Sequence, residues 1–336
     1  MDFGYSSRAM NDSSLTIWCN FGFTSDQGRE RNLLIEGVGA HRLVMFDEVQ
    51  NGREGDSRAA LETSDIVFGY PDANAMVECE RLRWVHLRFA GYTPYDHDHI
   101  RQSLIARGTP LTNSSSVYDE PCAQHLLAMI LGVARALPRA LDVQRGDRSW
   151  PSNSFRLSLP LLNGQTVLLL GFGAIGRRLV QMLQPLEVNL IAVRRHVRGD
   201  EPVLTVNTSS VDEMLPVADH IVNILPANDQ TRNFLNAKRL QNVKTGAIVY
   251  NIGRGTTLDQ AALLEGLQAG RIGAAYLDVT DPEPLPPDHP LWTAPNCYIT
   301  PHLGGGHSKE QERLVKHFLS NLRRFERADQ LLDRVF

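Results

Sequence analysis

Between residues 165 and 300, short apolar, β-rich runs recur at 166–170, 190–193, 220–225, 247–250, 274–277 and 298–300, separated by stretches long enough for helices. Repeated strand–helix units predict a parallel sheet with helices on both faces. Between the fourth and fifth of these runs, Thr257 and Gln260 read as a capping box, and Gly270 ends the helix they open. The first third alternates in the same way, with strand-like runs at 16–19, 42–46, 65–68 and 83–87. At 336 residues the chain exceeds what one core organises, so two domains of roughly 150 residues are expected. The change of character falls at the polar loop 113–116, after which Asp119-Glu120-Pro121 opens a helix. Cys122, Leu126, Met129, Ile130, Val133 and Leu137 then form one apolar stripe, widened by Leu127 and Leu131. A core face and a subunit interface both fit it.

Composition excludes several classes of function. With 42% hydrophobic and 21% charged residues and a net charge of −4, the chain has no long-range field to draw nucleic acid or an anionic membrane. Its most apolar stretch, 126–134, is about half the ~20 residues a spanning helix needs. Residues 1–7 are polar and lack the features of an export signal, which reads as a loose tail. Cys19, Cys79, Cys122 and Cys297 lie far apart without a C-x-x-C pair, so neither zinc nor a disulfide framework is expected, and a reducing cytoplasm fits. Asp96-His97-Asp98-His99 alternates like a solvated loop, and no metal is assigned to it.

Gly171-Phe172-Gly173-Ala174-Ile175-Gly176 follows the 166–170 run directly and leads into a helical pattern at Ile175, Leu179, Val180 and Leu183. A lone G-x-G-x-x-G is weak evidence, but strand, turn and helix stand here in the order that dinucleotide binding requires. Gly171 makes the tight turn, Gly173 lets backbone approach a pyrophosphate, and Gly176 lets helix and strand pack closely. Free N–H groups at the helix start then face the phosphates. The acid that would hold an adenosine 2′-hydroxyl is missing at the end of the next strand; Arg194 stands there, followed by Arg195, His196 and Arg198. A guanidinium suits a 2′-phosphate, so NADP(H) is expected over NAD(H), against the plainer reading of a solvated basic turn.

Three ionisable residues follow three successive late strands: Arg254 in N-I-G-R-G, Glu283 beyond L-D-V, and His302 after T-P. In open parallel sheets the carboxyl ends of strands line one ligand crevice, so the three share a rim. Their types suit hydride reduction of a 2-oxo acid. Arg254 offers a planar fork for a carboxylate, His302 can protonate the carbonyl oxygen, and Glu283 would orient His302 and raise its pKa. Each alone has a plainer reading as a surface or capping residue; their joint placement after a dinucleotide loop favours the site.

On these motifs, together with L-D-V-T-D-P-E-P-L, H-P-L-W and T-P-H-L-G-G, the chain resembles the D-isomer-specific 2-hydroxyacid dehydrogenases, nearest the glyoxylate and hydroxypyruvate reductases, over about residues 82–324. The resemblance implies Arg254 for substrate binding, Glu283 as partner of His302, and His302 as acid/base. It implies that backbone at Ala174 and Ile175 contacts pyrophosphate, that Ile252, Gly253, Arg254 and Asp278 lie around the nicotinamide, and that Gly305 contacts the cofactor. It further implies a Rossmann-type doubly wound cofactor domain, 113–302, inserted into a flavodoxin-like α/β substrate domain, 1–112 and 303–336. A homodimer through the 119–146 helix region is implied as well. Where the family commonly has A-G-V-D, this chain has Ala90-Gly91-Tyr92-Thr93 after Arg88; carboxylate binding near Ala90 and Gly91 is expected, in a pocket of altered shape. Gln124 replaces a common glutamate, and Trp150 fits either a neighbouring subunit's pocket or a plain interface anchor. The rival from another class is a non-enzymatic sensor of nicotinamide redox state, like the related corepressors. No disordered extension or basic DNA-facing patch supports it.

Overall fold

The computed structural model describes residues 14–23, 26–46 and 54–336; the tail expected at residues 1–7 lies outside the described residues. The chain divides into two compact units. One comprises the described residues up to Val117 together with Ser308–Phe336, and the other is Tyr118–His307. Among the described residues no helix is long and apolar enough to cross a membrane.

The first unit is built on five parallel strands, β1 (Thr16–Cys19), β2 (Arg42–Met45), β3 (Ile66–Gly69), β4 (Trp84–Leu87) and β5 (Leu111–Thr112), in the order β2-β1-β3-β4-β5. This is the flavodoxin-like order. All four residues of β3 and of β4 are buried, as expected where helices cover both faces. One face packs Val67, Val85 and Leu87 with Met76, Ile100 and Leu104 from the helices. On the other, the helix Glu310–Glu326 buries Leu314, Val315, Phe318 and Leu322. The Phe318 ring stacks on Phe68 at 4.2 Å and on Trp84 at 5.3 Å. The two-residue β5 carries no readable period, and tertiary pairing defines it: the Val335 amide donates to the Leu111 carbonyl at 2.8 Å.

The second unit is a seven-stranded parallel sheet: β6 (Thr166–Leu170), β7 (Asn189–Arg194), β8 (Leu204–Asn207), β9 (His220–Asn223), β10 (Ala247–Asn251), β11 (Ile272–Leu277) and β12 (Cys297–Ile299), in the order β12-β11-β10-β9-β6-β7-β8. Successive β6 side chains enter opposite cores, Leu168 and Leu170 on one side, Val167 and Leu169 on the other. The strand order reverses between β6 and β9, the switch point at which doubly wound sheets bind ligands.

Four local expectations need correction. The stretch 113–116 is not a solvated loop: Asn113 and Ser114 are buried. The Asn113 Oδ1 accepts from the Ser115 amide at 3.2 Å and the Ser115 hydroxyl at 2.8 Å, so the helix Ser115–Ala134 starts four residues earlier than its acidic–proline signal. Pro121 lies inside it and cannot donate to the Val117 carbonyl, and the boundary between the units falls at that residue. The helix Gln260–Gln268 is capped by Asp259, whose carboxylate accepts from the Ala262 amide at 3.0 Å, and not by Thr257. The edge strand β8 was not anticipated at all. The expected stripe does not run along one helix: Cys122, Leu126, Met129 and Ile130 are buried against Val167, Leu169 and Tyr250 of the same unit and Leu131 is exposed, but the helix ends at Ala134, and exposed Leu137 begins the next, Leu137–Arg145.

Candidate active site

The glycine loop joins β6 to the helix Ala174–Leu183 at the switch point. Gly171 has φ +103°, and a Cβ there would lie 3.2 Å from the Ile224 carbonyl oxygen just past β9, so a side chain is doubly disfavoured. At Gly176 a Cβ would stand 3.0 Å from the Gly171 carbonyl oxygen, which is the close helix–strand approach. At exposed Gly173 it would meet nothing within 4 Å. The helix has no side-chain cap, and the open space over Gly173 borders its uncapped start, an arrangement that fits a dinucleotide pyrophosphate.

At the end of β7, Arg194 donates from Nη1 to Glu201 Oε1 at 3.0 Å. Glu201 also accepts from the Arg198 and Gly199 amides, each at 2.8 Å. The Arg198 amide foremost, with Gly199 and Arg194, holds this carboxyl below the usual carboxylate range. The basic turn is therefore organised around a carboxylate that sequence reasoning passed over, while Arg195, His196 and Arg198 are exposed.

The strands β10, β11 and β12 are neighbours in register, Asn251 opposite Leu277 and Leu277 opposite Ile299, so the segments leaving their carboxyl ends emerge side by side. The turn after β10 carries Arg254. Its carbonyl accepts from Asn251 Nδ2 at 3.1 Å and from the Thr257 hydroxyl at 2.7 Å. Buried Asn223 ties both supports together, donating to Asn251 Oδ1 at 3.2 Å and Thr257 Oγ1 at 2.7 Å. Arg254 Nη1 folds back onto the Gly253 carbonyl at 2.7 Å, and the other guanidinium nitrogens have no partner among the described residues. A Cβ on Gly255 would fall 1.9 Å from the Thr280 carbonyl oxygen, so this glycine lets the Arg254 turn press against the segment leading to Glu283.

Glu283 and His302 meet through a hydrogen bond between Oε1 and Nδ1. Their side chains are 38% and 49% exposed, open enough to meet a ligand. An ionised carboxylate only accepts, so Nδ1 carries a hydrogen and Nε2 is left outward, with no partner among the described residues. Neutral, the ring presents a lone pair at Nε2; protonated, it presents an N–H. His302 itself has φ +49°, a left-handed conformation that costs a non-glycine residue about 1–2 kcal/mol.

Asp278, 2% exposed, holds that conformation from below. Its main-chain oxygen accepts from the His302 amide at 2.9 Å. The carboxylate takes the Thr300 hydroxyl at 2.6 Å, the Leu303 amide at 3.0 Å and the Gly304 amide at 2.9 Å. Gly304 has room for no Cβ: one would lie 2.6 Å from Ile252 Cδ1 and 2.8 Å from Asp278 Oδ2, and at Gly305 one would lie 2.9 Å from Tyr118 Cδ1. Ile252, Asp278 and Gly304 are thereby packed together. Ala90 and Gly91 belong to the first unit, where the Ala90 carbonyl accepts from Asn113 Nδ2 at 2.7 Å and Arg88 donates to the Phe21 carbonyl.

Sequence reasoning missed Asn223, Asn251 and Thr300, and the part that Thr257 plays beside them, in holding the loops. A signal was there: β9 and β10 both end on asparagine, a residue that strands disfavour.

Residues 127–304 match the family described as D-isomer specific 2-hydroxyacid dehydrogenase, NAD binding domain. A glyoxylate reductase of Thermofilum pendens is 29% identical over 82% of this chain and 79% of its own. The D-3-phosphoglycerate dehydrogenase of Mycobacterium tuberculosis is 30% identical over 72% of this chain but only 44% of its own. A crystal structure of a D-isomer specific 2-hydroxyacid dehydrogenase family protein from Aeromonas salmonicida superposes with a TM-score of 0.74 at 27% identity, covering 96% of this chain and 99% of that one.

Proposed function

The chain belongs to the D-isomer specific 2-hydroxyacid dehydrogenases, nicotinamide-dependent oxidoreductases, and within that family we propose that it reduces a small 2-oxo acid of the glyoxylate or hydroxypyruvate type with NADPH. The observation that carries this reading is the Glu283–His302 hydrogen bond on the rim it shares with Arg254. A bound nicotinamide supplies the hydride. The substrate carboxylate takes the guanidinium nitrogens that Arg254 leaves unpaired, which also polarise the adjacent carbonyl. His302 donates a proton from Nε2 to the carbonyl oxygen as negative charge builds there, and Glu283 stabilises the imidazolium before transfer and holds the ring in line. In the oxidative direction the same Nε2 takes the hydroxyl proton.

The residues fit the dinucleotide. The amides at Ala174 and Ile175 would hold the pyrophosphate over Gly173, and Ile252, Gly253, Asp278 and Gly305 would wall the nicotinamide. Arg194 and Arg195 would take an adenosine 2′-phosphate. A homodimer through 119–146 is supported by exposed Leu131, Leu137 and Leu141 in that region, continued by Trp150 and Leu157, both 91% exposed. A monomer's mass in light scattering would overturn the dimer.

The activity is tested by absorbance, with a panel of 2-oxo acids against NADPH and NADH. The expected result is turnover of glyoxylate or hydroxypyruvate, lost in His302→Ala and Arg254→Ala while cofactor binding persists. Undiminished kcat in either variant removes the mechanism.

A further inference from the structure

A second histidine lies behind His302, on the helix Ser115–Ala134, and no step above uses it. His125 is 17% exposed, with Nε2 3.2 Å from Thr300 Oγ1 and 3.5 Å from Asp278 Oδ1. The Thr300 hydroxyl has one hydrogen, and Asp278 Oδ1 takes it at 2.6 Å. Toward His125 the hydroxyl oxygen therefore accepts, and His125 carries a hydrogen on Nε2. The ring also packs on the turn: a Cβ on Gly304 would lie 3.2 Å from its Cδ2. His125 thus reaches, through one hydroxyl and one carboxylate, the backbone amides of Leu303 and Gly304 and the strained residue just before them.

We propose that His125 is a positioning residue for the reaction: its Nε2–H fixes the Thr300 hydroxyl on Asp278, and that clasp sets the backbone from which His302 meets Glu283. The proposal rests on the reading of His302 as acid/base. A left-handed backbone at a reacting residue persists only where its surroundings over-determine it. Thr300 alone, free to rotate its hydroxyl, does not supply that. A donor anchored on a helix does, because it leaves the hydroxyl one orientation that satisfies both partners. Reacting groups displaced by about 1 Å lose about a hundredfold in rate, so a modest loosening of this clasp is enough to be measured.

Two variants separate the hydrogen bond from the packing. His125→Phe keeps a ring of similar size and removes the donor; His125→Gln keeps a donor at similar reach. In the full-length enzyme, His125→Phe is expected to lower kcat at least tenfold, with KM for the 2-oxo acid and for NADPH within twofold of the parent, and His125→Gln to recover most of the loss. Wild-type kcat in His125→Phe, a change confined to KM, or equal losses in both variants would each overturn the proposal. A second readout needs no turnover: amide hydrogen exchange of the peptide spanning Leu303 and Gly304 should quicken in His125→Phe and stay near parental in His125→Gln. If the parent reduces no 2-oxo acid, the acid/base reading fails on its own, while exchange still decides whether His125 holds the turn; parental exchange in His125→Phe shows that it does not.

Discussion

Replacing Gly255 by alanine tests whether the Arg254 turn and the Glu283 segment must touch. The added Cβ would stand 1.9 Å from the Thr280 carbonyl oxygen, 2.0 Å from its carbon and 2.6 Å from the Asp281 nitrogen. All three are backbone atoms, so no side chain can swing away. Reaching an ordinary contact distance requires the two segments to part by about 1.5 Å. Both are anchored: the Arg254 carbonyl by Asn251 and Thr257, and the Asp281 amide by Gln260 Oε1 at 3.0 Å. The strain should cost about 1–3 kcal/mol. A displacement of that size between Arg254 and Glu283 should lower kcat/KM by about a hundredfold or more. The measurement is steady-state reduction of the preferred 2-oxo acid, beside a thermal melt to show that the variant is folded. Gly28→Ala, at the start of the helix Gly28–Gly37 where a Cβ meets nothing within 4 Å, is the control and should keep full activity. A folded Gly255→Ala enzyme with kcat/KM within threefold of the parent would refute the argument.

Three further outcomes are expected. Asp278→Asn replaces an acceptor of three hydrogen bonds with a group that must also donate among donors; urea denaturation should show a loss of about 1–3 kcal/mol, and an unchanged midpoint would mean that the carboxylate does not hold the 300–304 turn. His220 is buried between Tyr250 and Gln165, and burial pushes its pKa down to about 4. Its folded pKa lies below the unfolded value of about 6.5, so its contribution is complete above that pH and is lost as pH falls toward 4, at about 1.4 kcal/mol per pH unit. Buried His86 acts in the same direction. His220→Asn should flatten the fall in urea midpoint between pH 6.5 and 5, and an equally steep slope would contradict the assignment. For the cofactor, Arg194→Ala should lower the NADPH-to-NADH ratio of kcat/KM about tenfold, and Glu201→Gln should raise it by freeing the Arg194 charge; ratios unmoved in both would place 2′-phosphate recognition elsewhere.

The sequence by itself made the parallel architecture legible, because the connections between its apolar runs are long enough for the helical crossovers that parallel strands need. It also singled out the candidate site residues. Gly171 and Gly176 are legible because their backbone positions leave no room for a Cβ, Gly173 because it completes their spacing, and Arg254, Glu283 and His302 because strand ends in such a sheet face one crevice. The early helix start at Ser115, the cap at Asp259 and the strand β8 were misread or missed, since caps and edge strands are chosen by a few long-range hydrogen bonds that no local period records. Only the tertiary structure decided how the site is held. Asn223, Asn251 and Thr257 lock the Arg254 turn, and His125, Thr300 and Asp278 clasp the His302 turn across 175 residues of sequence. Glu201 likewise turns a run of basic residues into an ordered loop. These are ordinary polar side chains whose meaning lies in burial and in the partners they meet, and both exist only once the strands have been laid side by side.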